Sequence, residues 1–200
     1  MNSNEITSII CDRSHLEDLY KIIEPHTLMY GVDIEQSGLK DIHKNNVRNI
    51  LNNPLTVQKI IGTVTNNNID CFAVYSPWET LPVYTASFMY FSFERTDIGS
   101  FAHHGIKIFE KMTEIGEADG RNEFYYMIRD REYDRAEKTW SINKTLSDKY
   151  EIVNIEYLKP GQISKYDTFN IIFRGIIGQQ KKPVMIRKGH LRKEYRLPLA

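Results

Sequence analysis

Residues 83–120 limit what this chain can fold into more than any other stretch. The run Val83-Tyr84-Thr85-Ala86-Ser87-Phe88-Met89-Tyr90-Phe91-Ser92-Phe93 is dominated by aromatic and β-branched side chains, which suit a pleated surface, and it predicts a strand over 83–93. A polar connection follows, Glu94-Arg95-Thr96-Asp97-Ile98-Gly99-Ser100. Beyond it Phe101, Gly105, Ile108, Phe109, Met112, Ile115 and Gly116 recur at near-helical spacing, with Lys107, Glu110, Lys111 and Glu114 mostly opposite. Ser100 is the expected N-cap. A strand that feeds a helix through a Gly/Ser loop presents backbone N–H groups at a helix N-terminus, which is the geometry of an anion site. An ordinary βα turn with an ordinary cap uses the same residues, so the surrounding elements decide between the two.

In chain order, residues 5–12 read as a first strand, with Ile6, Ile9 and Ile10 as its apolar residues. Ser14 and Glu17 have capping-box spacing ahead of a helix faced by Leu16, Leu19, Tyr20 and Ile23 and closed by Pro25. A loop through Gly31 and Gly38 leads to a helix over 39–51, with Leu39, Ile42, Val47 and Ile50 expected inside. Residues 56–65 and 69–75 form a hairpin about the turn Asn66-Asn67-Asn68, whose residue type tolerates positive φ. The loop 76–82 then enters the strand at Val83. After Gly120 come a strand over 122–129, a helix over 134–150 with Ala136, Trp140, Leu146 and Tyr150 on one face, and strands over 152–158 and 169–177. The expected class is α/β. It has a mixed sheet of about seven strands flanked by about four helices, antiparallel early and with one parallel pair across the long helix.

At 200 residues the chain has room for one domain, or one with an appendage, and for a sizeable core. Its net charge of zero argues against nucleic acid as the partner of the whole chain. The zero conceals an asymmetry. Residues 178–200 carry seven Lys/Arg against the single acid Glu194, a charge of +6, which leaves −6 on residues 1–177. The expected organisation is a domain over 1–177 and an extended basic C-terminal arm over 178–200. Cys11 and Cys71 have no zinc spacing, no apolar run reaches the roughly 20 residues of a membrane span, and the polar start lacks the features of a secretory signal. A reducing cytoplasm is the expected compartment.

The order of elements, together with the strand 83–93, the loop 94–100, the helix 101–120 and the strand 122–129, resembles the GNAT acetyltransferase superfamily over about residues 5–177. The resemblance implies that the helix N-terminus holds the pyrophosphate of acetyl-CoA, and that pantetheine slots where the following strand splays from its neighbour. The family's loop, Gln/Arg-x-x-Gly-x-Gly/Ala, is matched only by Arg95-Thr96-Asp97-Ile98-Gly99-Ser100, one residue too long and with the acid Asp97 inside it. On this alignment Arg95, Gly99, Ser100 and Phe101 are the cofactor-binding residues. The family's Asn-x-x-Ala-x-x-x-Tyr motif, aligned on Ala136, puts Tyr133 at the Asn position and Trp140 where a Tyr would protonate the CoA thiolate. An indole donates but does not titrate, so Tyr133 is the substitute acid and Trp140 is core. Glu94, with Glu79 as a second choice, is the expected base for the amine, although either side chain can equally be a solvated surface acid.

No metal is expected. His103 and His104 point about 100° apart on a helix and do not make joint ligands; one of them aiding an anion at the helix N-terminus or relaying a proton is the functional reading, and surface or packing roles are the plain alternative. The charged run 130–134 reads as a solvated loop and helix start. In the arm, Val184, Met185, Ile186, Leu191, Tyr195 and Leu197 interleave with the basic residues. A dangling tail, a segment that docks on a protein partner or another copy, and an anionic contact all fit that pattern. Two functions therefore stand. One is an acetyl-CoA-dependent N-acyltransferase with an atypical site and an amine acceptor. The other is a catalytically inactive GNAT-like structural or assembly protein docking through residues 178–200, such as a tailed-phage virion or morphogenesis component. It would then work in the host cytoplasm or the virion.

Overall fold

The computed structural model describes residues 5–29, 32–33, 35–79, 83–93, 97–121, 123–129, 150–158 and 168–175. They fall into two units, Met1–Arg121 and Asn122–Ala200, each taken by itself. The helix expected over 134–150 and the arm 178–200 lie outside the described residues.

In the first unit β1 (Thr7–Ile10) leads through a 3-10 turn (Arg13–His15) into α1 (Leu16–Ile23). The cap is not Ser14 but Asp12. The Asp12 carboxylate accepts the Ser14 amide at 2.9 Å, and the His15 ring returns a bond to the Asp12 amide. A carboxylate two positions earlier than expected satisfies the unpaired N–H groups of the 3-10 turn, so the turn begins there, and α1 follows from His15 without a side-chain cap of its own. Two short strands, β2 (Leu28–Met29) and β3 (Val32–Asp33), pair within the loop before α2 (Leu39–Asn52).

The sheet of this unit is antiparallel, with β4 (Lys59–Thr65) between β1 and β5 (Asn68–Pro77), and β6 (Val83–Phe91) on the other side of β5. The hairpin β4–β5 turns on Asn66 and Asn67, both at positive φ (52° and 65°), as a two-residue turn matching strand twist requires. Against one face Leu19, Ile22 and Ile23 of α1 and Val47 and Ile50 of α2 bury on Ile60, Phe72, Val74 and Tyr90. Each such aliphatic or aromatic side chain contributes roughly 1.5–3 kcal/mol when fully buried. α3 (Ile98–Ala118) packs on the same strands through contacts such as His104 with Thr63 and Gly116 near Tyr84.

The inner face of α2 differs from the expected one. Lys40, His43, Val47 and Ile50 are buried, whereas Ile42 is 54% exposed. The polar residues are drawn inward by partners. Lys40 Nζ donates to the Glu24 carbonyl oxygen at 2.9 Å, a cation at the C-terminus of α1, and the His43 ring bonds the Tyr90 hydroxyl. The periodicity holds, rotated by one residue at its N-terminal end.

The second unit contains an antiparallel ladder with β9 (Thr168–Gly175) between β7 (Glu123–Arg129) and β8 (Tyr150–Leu158).

Candidate functional site

α3 starts at Ile98, three residues before the expected position, because Asp97 rather than Ser100 is its N-cap. Asp97 Oδ1 accepts the Ser100 amide at 2.9 Å. Ser100, and to a smaller degree the Gly99 amide, hold the Asp97 carboxyl below the usual carboxylate range. The first-turn amides are therefore those of Ile98, Gly99 and Ser100. In an α-helix the amide at the position of Phe101 closes on the carbonyl four residues back. Gly99 is exposed and Ser100 half-buried, and among the described residues a Cβ on Gly99 would meet only Asp97 Oδ1, at 3.6 Å. Among the described residues nothing but the chain's own carboxylate sits against Gly99 at this turn.

β6 carries an irregularity invisible in the sequence. Val74 pairs with Ser87 and Phe72 with Tyr90, so the ladder advances two residues on β5 and three on β6. The extra residue falls at 88–89 and is left out of the ladder with β5, as in a β-bulge. A backbone amide released in this way is the type of donor that stabilises a developing oxyanion.

One position beyond the bulge, Tyr90 is fully buried. Its hydroxyl meets the His43 ring, and His26 approaches it edge-on at 5.1 Å. Phe91 receives His26 in the same way at 5.2 Å. Past the end of α1, His26 Nδ1 lies 2.9 Å from the Ile22 carbonyl oxygen. His26 and Phe91 border a cleft of about 420 Å³ between the C-terminal end of α1 and the end of β6. Ile22, Pro25, Phe91 and Phe93 give it apolar walls, with Lys21 and His26 among the polar groups. His26, His43 and the bulge were missed in the sequence. The available signal for His26 was its place directly after the helix-ending Pro25.

The other expected residues separate. Glu94, Arg95, Tyr133 and Trp140 lie outside the described residues. Glu79 is exposed and sits where Pro77 pairs with Tyr84, at the start of β6. The α3 turn is at the far end of that nine-residue strand, roughly 25 Å away at the usual rise, so the two are not brought together. His103 is exposed, whereas His104 is buried, with Nδ1 2.8 Å from Thr63 Oγ1 and its ring stacked on Phe93 at 5.0 Å. Burial lowers the pKa of His104, and it does the same to His43. Cys11 and Cys71 are both buried, and desolvation pushes the Cys11 thiol up to about 12 and Cys71 higher still. Neither is poised as a thiolate nucleophile. Among the described residues no group of three or more His, Cys, Asp or Glu side chains is arranged for a metal, and no helix is long and apolar enough to cross a membrane.

Comparison with known proteins finds no matching family model and no matching curated protein. Solved structures do match. A protein from Staphylococcus epidermidis described as a probable acetyltransferase aligns at TM-score 0.62 and 10% identity, over 86% of this chain and 100% of its own. An acetyltransferase of the GNAT family from Staphylococcus aureus aligns at 0.54 and 16%, over 86% and 99%. A Salmonella typhimurium protein described as a putative acetyltransferase, solved with its cofactor acetyl-CoA, aligns at 0.54 and 8%, over 89% and 98%. At such identities the likeness is one of fold, and the fold is that of the GNAT acetyltransferases.

Proposed function

We propose that this protein is an acetyl-CoA-dependent N-acyltransferase with an atypical pyrophosphate site. The observation that carries the reading is the run from the bulged β6 into the N-terminus of α3, set in a fold shared with acetyltransferases over most of the chain. Within it the Gly99 and Ser100 amides face the pyrophosphate and Arg95 supplies a cation, with Phe101 in the same turn. The bulge amide at 88–89 holds the thioester oxygen. Glu94 is one candidate for taking up the amine proton, and Tyr133 is the acid that returns a proton to the thiolate. The exposed Gly99 turn fits an approaching phosphate. The Asp97 carboxylate opposes it by charge, so the fit requires Asp97 to swing away or Arg95 to screen it.

Asp97 is also the observation that favours the second reading, in which the fold persists without chemistry and the protein serves as an assembly part docking through residues 178–200. Calorimetric titration with acetyl-CoA tests the choice. The acyltransferase reading expects saturable micromolar binding, weakened at least tenfold by Gly99→Pro, which removes a first-turn donor. Absence of heat at millimolar ligand favours the assembly part.

A further inference from the structure

We propose that His43 is a positioning residue for acyl transfer: through its bond to the Tyr90 hydroxyl, α2 fixes the bulged segment 88–89 of β6, whose amide receives the thioester oxygen. This rests on the acyltransferase reading.

Three observations lead there. The first is what the bulge lacks. Between the pairs Val74–Ser87 and Phe72–Tyr90 the segment 88–89 makes no ladder pair with β5, so on that side its direction is set by its flanks. An oxyanion donor works only when it stands about 2.7–3.1 Å from the oxygen, and a loosely held segment does not keep that aim.

The second is how the C-terminal flank is held. Tyr90 is fully buried and stacks on its ladder partner Phe72, with ring centroids 5.4 Å apart and planes 20° apart. The stack sets the plane of the Tyr90 ring and leaves sliding within that plane to be stopped. His43 stops it from α2. Its ring stands edge-on to Tyr90 at 5.7 Å and 76°, and its Nδ1 bonds the hydroxyl. That bond is directional, as apolar packing is not.

The third is the cost of a histidine at this position. His43 shares the buried face of α2 with Val47 and Ile50, and desolvation holds its pKa below the ordinary range, so the ring is neutral at pH 7. An aliphatic side chain would fill the core there without that desolvation. What the histidine adds is a fixed link from a helix to the residue next to the bulge, 47 positions along the chain. α3 is tied to the sheet by a separate contact, His104 with Thr63. Loss of His43 should therefore disturb the acetyl group and leave the pyrophosphate turn as it was.

The test compares acetyl-CoA with CoA by amide NMR on the full chain. Shifts produced by acetyl-CoA alone report the acetyl group, and shifts common to both ligands report the rest of the molecule. The proposal expects acetyl-specific shifts at the amides of 88–89 and common shifts at Gly99 and Ser100. His43→Leu fills the space without the bond, and Tyr90→Phe removes only the hydroxyl. In each the acetyl-specific shift should fall at least about twofold, while the common shifts remain and the Kd for acetyl-CoA changes less than about threefold. The double variant should lose no more than either single one, because both delete the same link. His43→Asn, whose amide stands near the place of Nδ1, should recover part of the shift. A lowered Tm with an undiminished acetyl-specific shift marks a merely structural role and overturns the proposal. So does a double variant that loses the sum of the single losses, or an Asn variant no better than Leu. If His43→Leu fails to fold, Tyr90→Phe decides. Common shifts at Gly99 and Ser100 with no acetyl-specific shift at 88–89 in the unaltered chain defeat this inference alone, whereas no acetyl-CoA binding defeats the reading beneath it.

Discussion

Asp97 Oδ1 accepts the backbone N–H of Ser100 at 2.9 Å, so the first turn of α3 already holds a carboxylate where the proposed function would put a phosphate. The contact serves the helix by capping it and opposes the ligand by charge, and these effects separate by substitution. Asp97→Asn keeps an acceptor for the Ser100 amide and removes the charge, and is expected to tighten acetyl-CoA binding about 2–5-fold with little change in Tm. Asp97→Ala removes the cap as well and is expected to lower Tm by about 2–4 °C. Calorimetry and thermal melts read both. Weaker binding by Asp97→Asn would mean that the carboxylate assists the ligand.

Acid should destabilise the fold through two histidines before any carboxylate contributes. His43 and His104 are each 6% exposed, and desolvation lowers both pKa values below the ordinary 6.5. Between the lowered folded values and 6.5 the unfolded chain binds more protons, so stability is fully present above 6.5 and falls as pH drops through it. The hydrogen-bonded carboxyls of Asp12, Glu24 and Asp97 have depressed values, and their contribution is lost only below about 4.5. Urea midpoints should therefore stay level above pH 7 and decline as pH falls below about 6.5, with a shallower decline in His104→Gln. A midpoint that is flat or rises across that window contradicts the burial of neutral imidazoles.

Gly116 lies where α3 runs close to Tyr84 of β6. A Cβ there would lie 2.7 Å from Tyr84 Cε1 and 3.1 Å from the Arg121 carbonyl oxygen, and Tyr84 is 2% exposed with little room to move. Alanine gains up to about 1 kcal/mol of helix propensity, but overpacking against a buried ring costs roughly 1–3 kcal/mol. Gly116→Ala is thus expected to be net destabilising by about 1 kcal/mol or more in chemical denaturation, and a stabilised variant would refute the close approach.

The parts of this fold legible in the sequence are those set by local pattern. The strand entering α3, the Asn66-Asn67 turn and the helix end at Gly120, whose φ is +73°, each follow from periodicity or from residues tolerant of positive φ. The parts missed depend on partners far along the chain. Lys40 is drawn inside by a carbonyl 16 residues away and His43 by a hydroxyl 47 residues away, and nothing within α2 announces either. Both misplaced caps have a shared cause, since Asp12 and Asp97 stand just ahead of serines of similar capping strength. Of the site, the helix N-terminus was readable and the bulge at 88–89 was not, because a bulge is set by register and not by composition.

The basic segment 178–200 separates the two functional readings by a deletion. Acetyl transfer needs nothing from it, and contacts made by charge alone fade in about 0.5 M salt. The acyltransferase account expects the protein lacking 178–200 to melt cooperatively and to bind acetyl-CoA with unchanged affinity. Loss of self-association or partner association in high salt, in a domain that still melts cooperatively, would identify the segment as a docking device and favour the assembly part. Unfolding of the shortened chain would place it in the core.

The central claim is that the first turn of α3 receives the acetyl-CoA pyrophosphate, and amide NMR during an acetyl-CoA titration tests it most directly. The account predicts saturable, micromolar shifts at the Gly99 and Ser100 amides, reproduced by CoA and not by an equal concentration of acetate. Amides at 98–100 that stay fixed while acetyl-CoA reaches millimolar concentration, or saturable shifts confined to other parts of the chain, would contradict it.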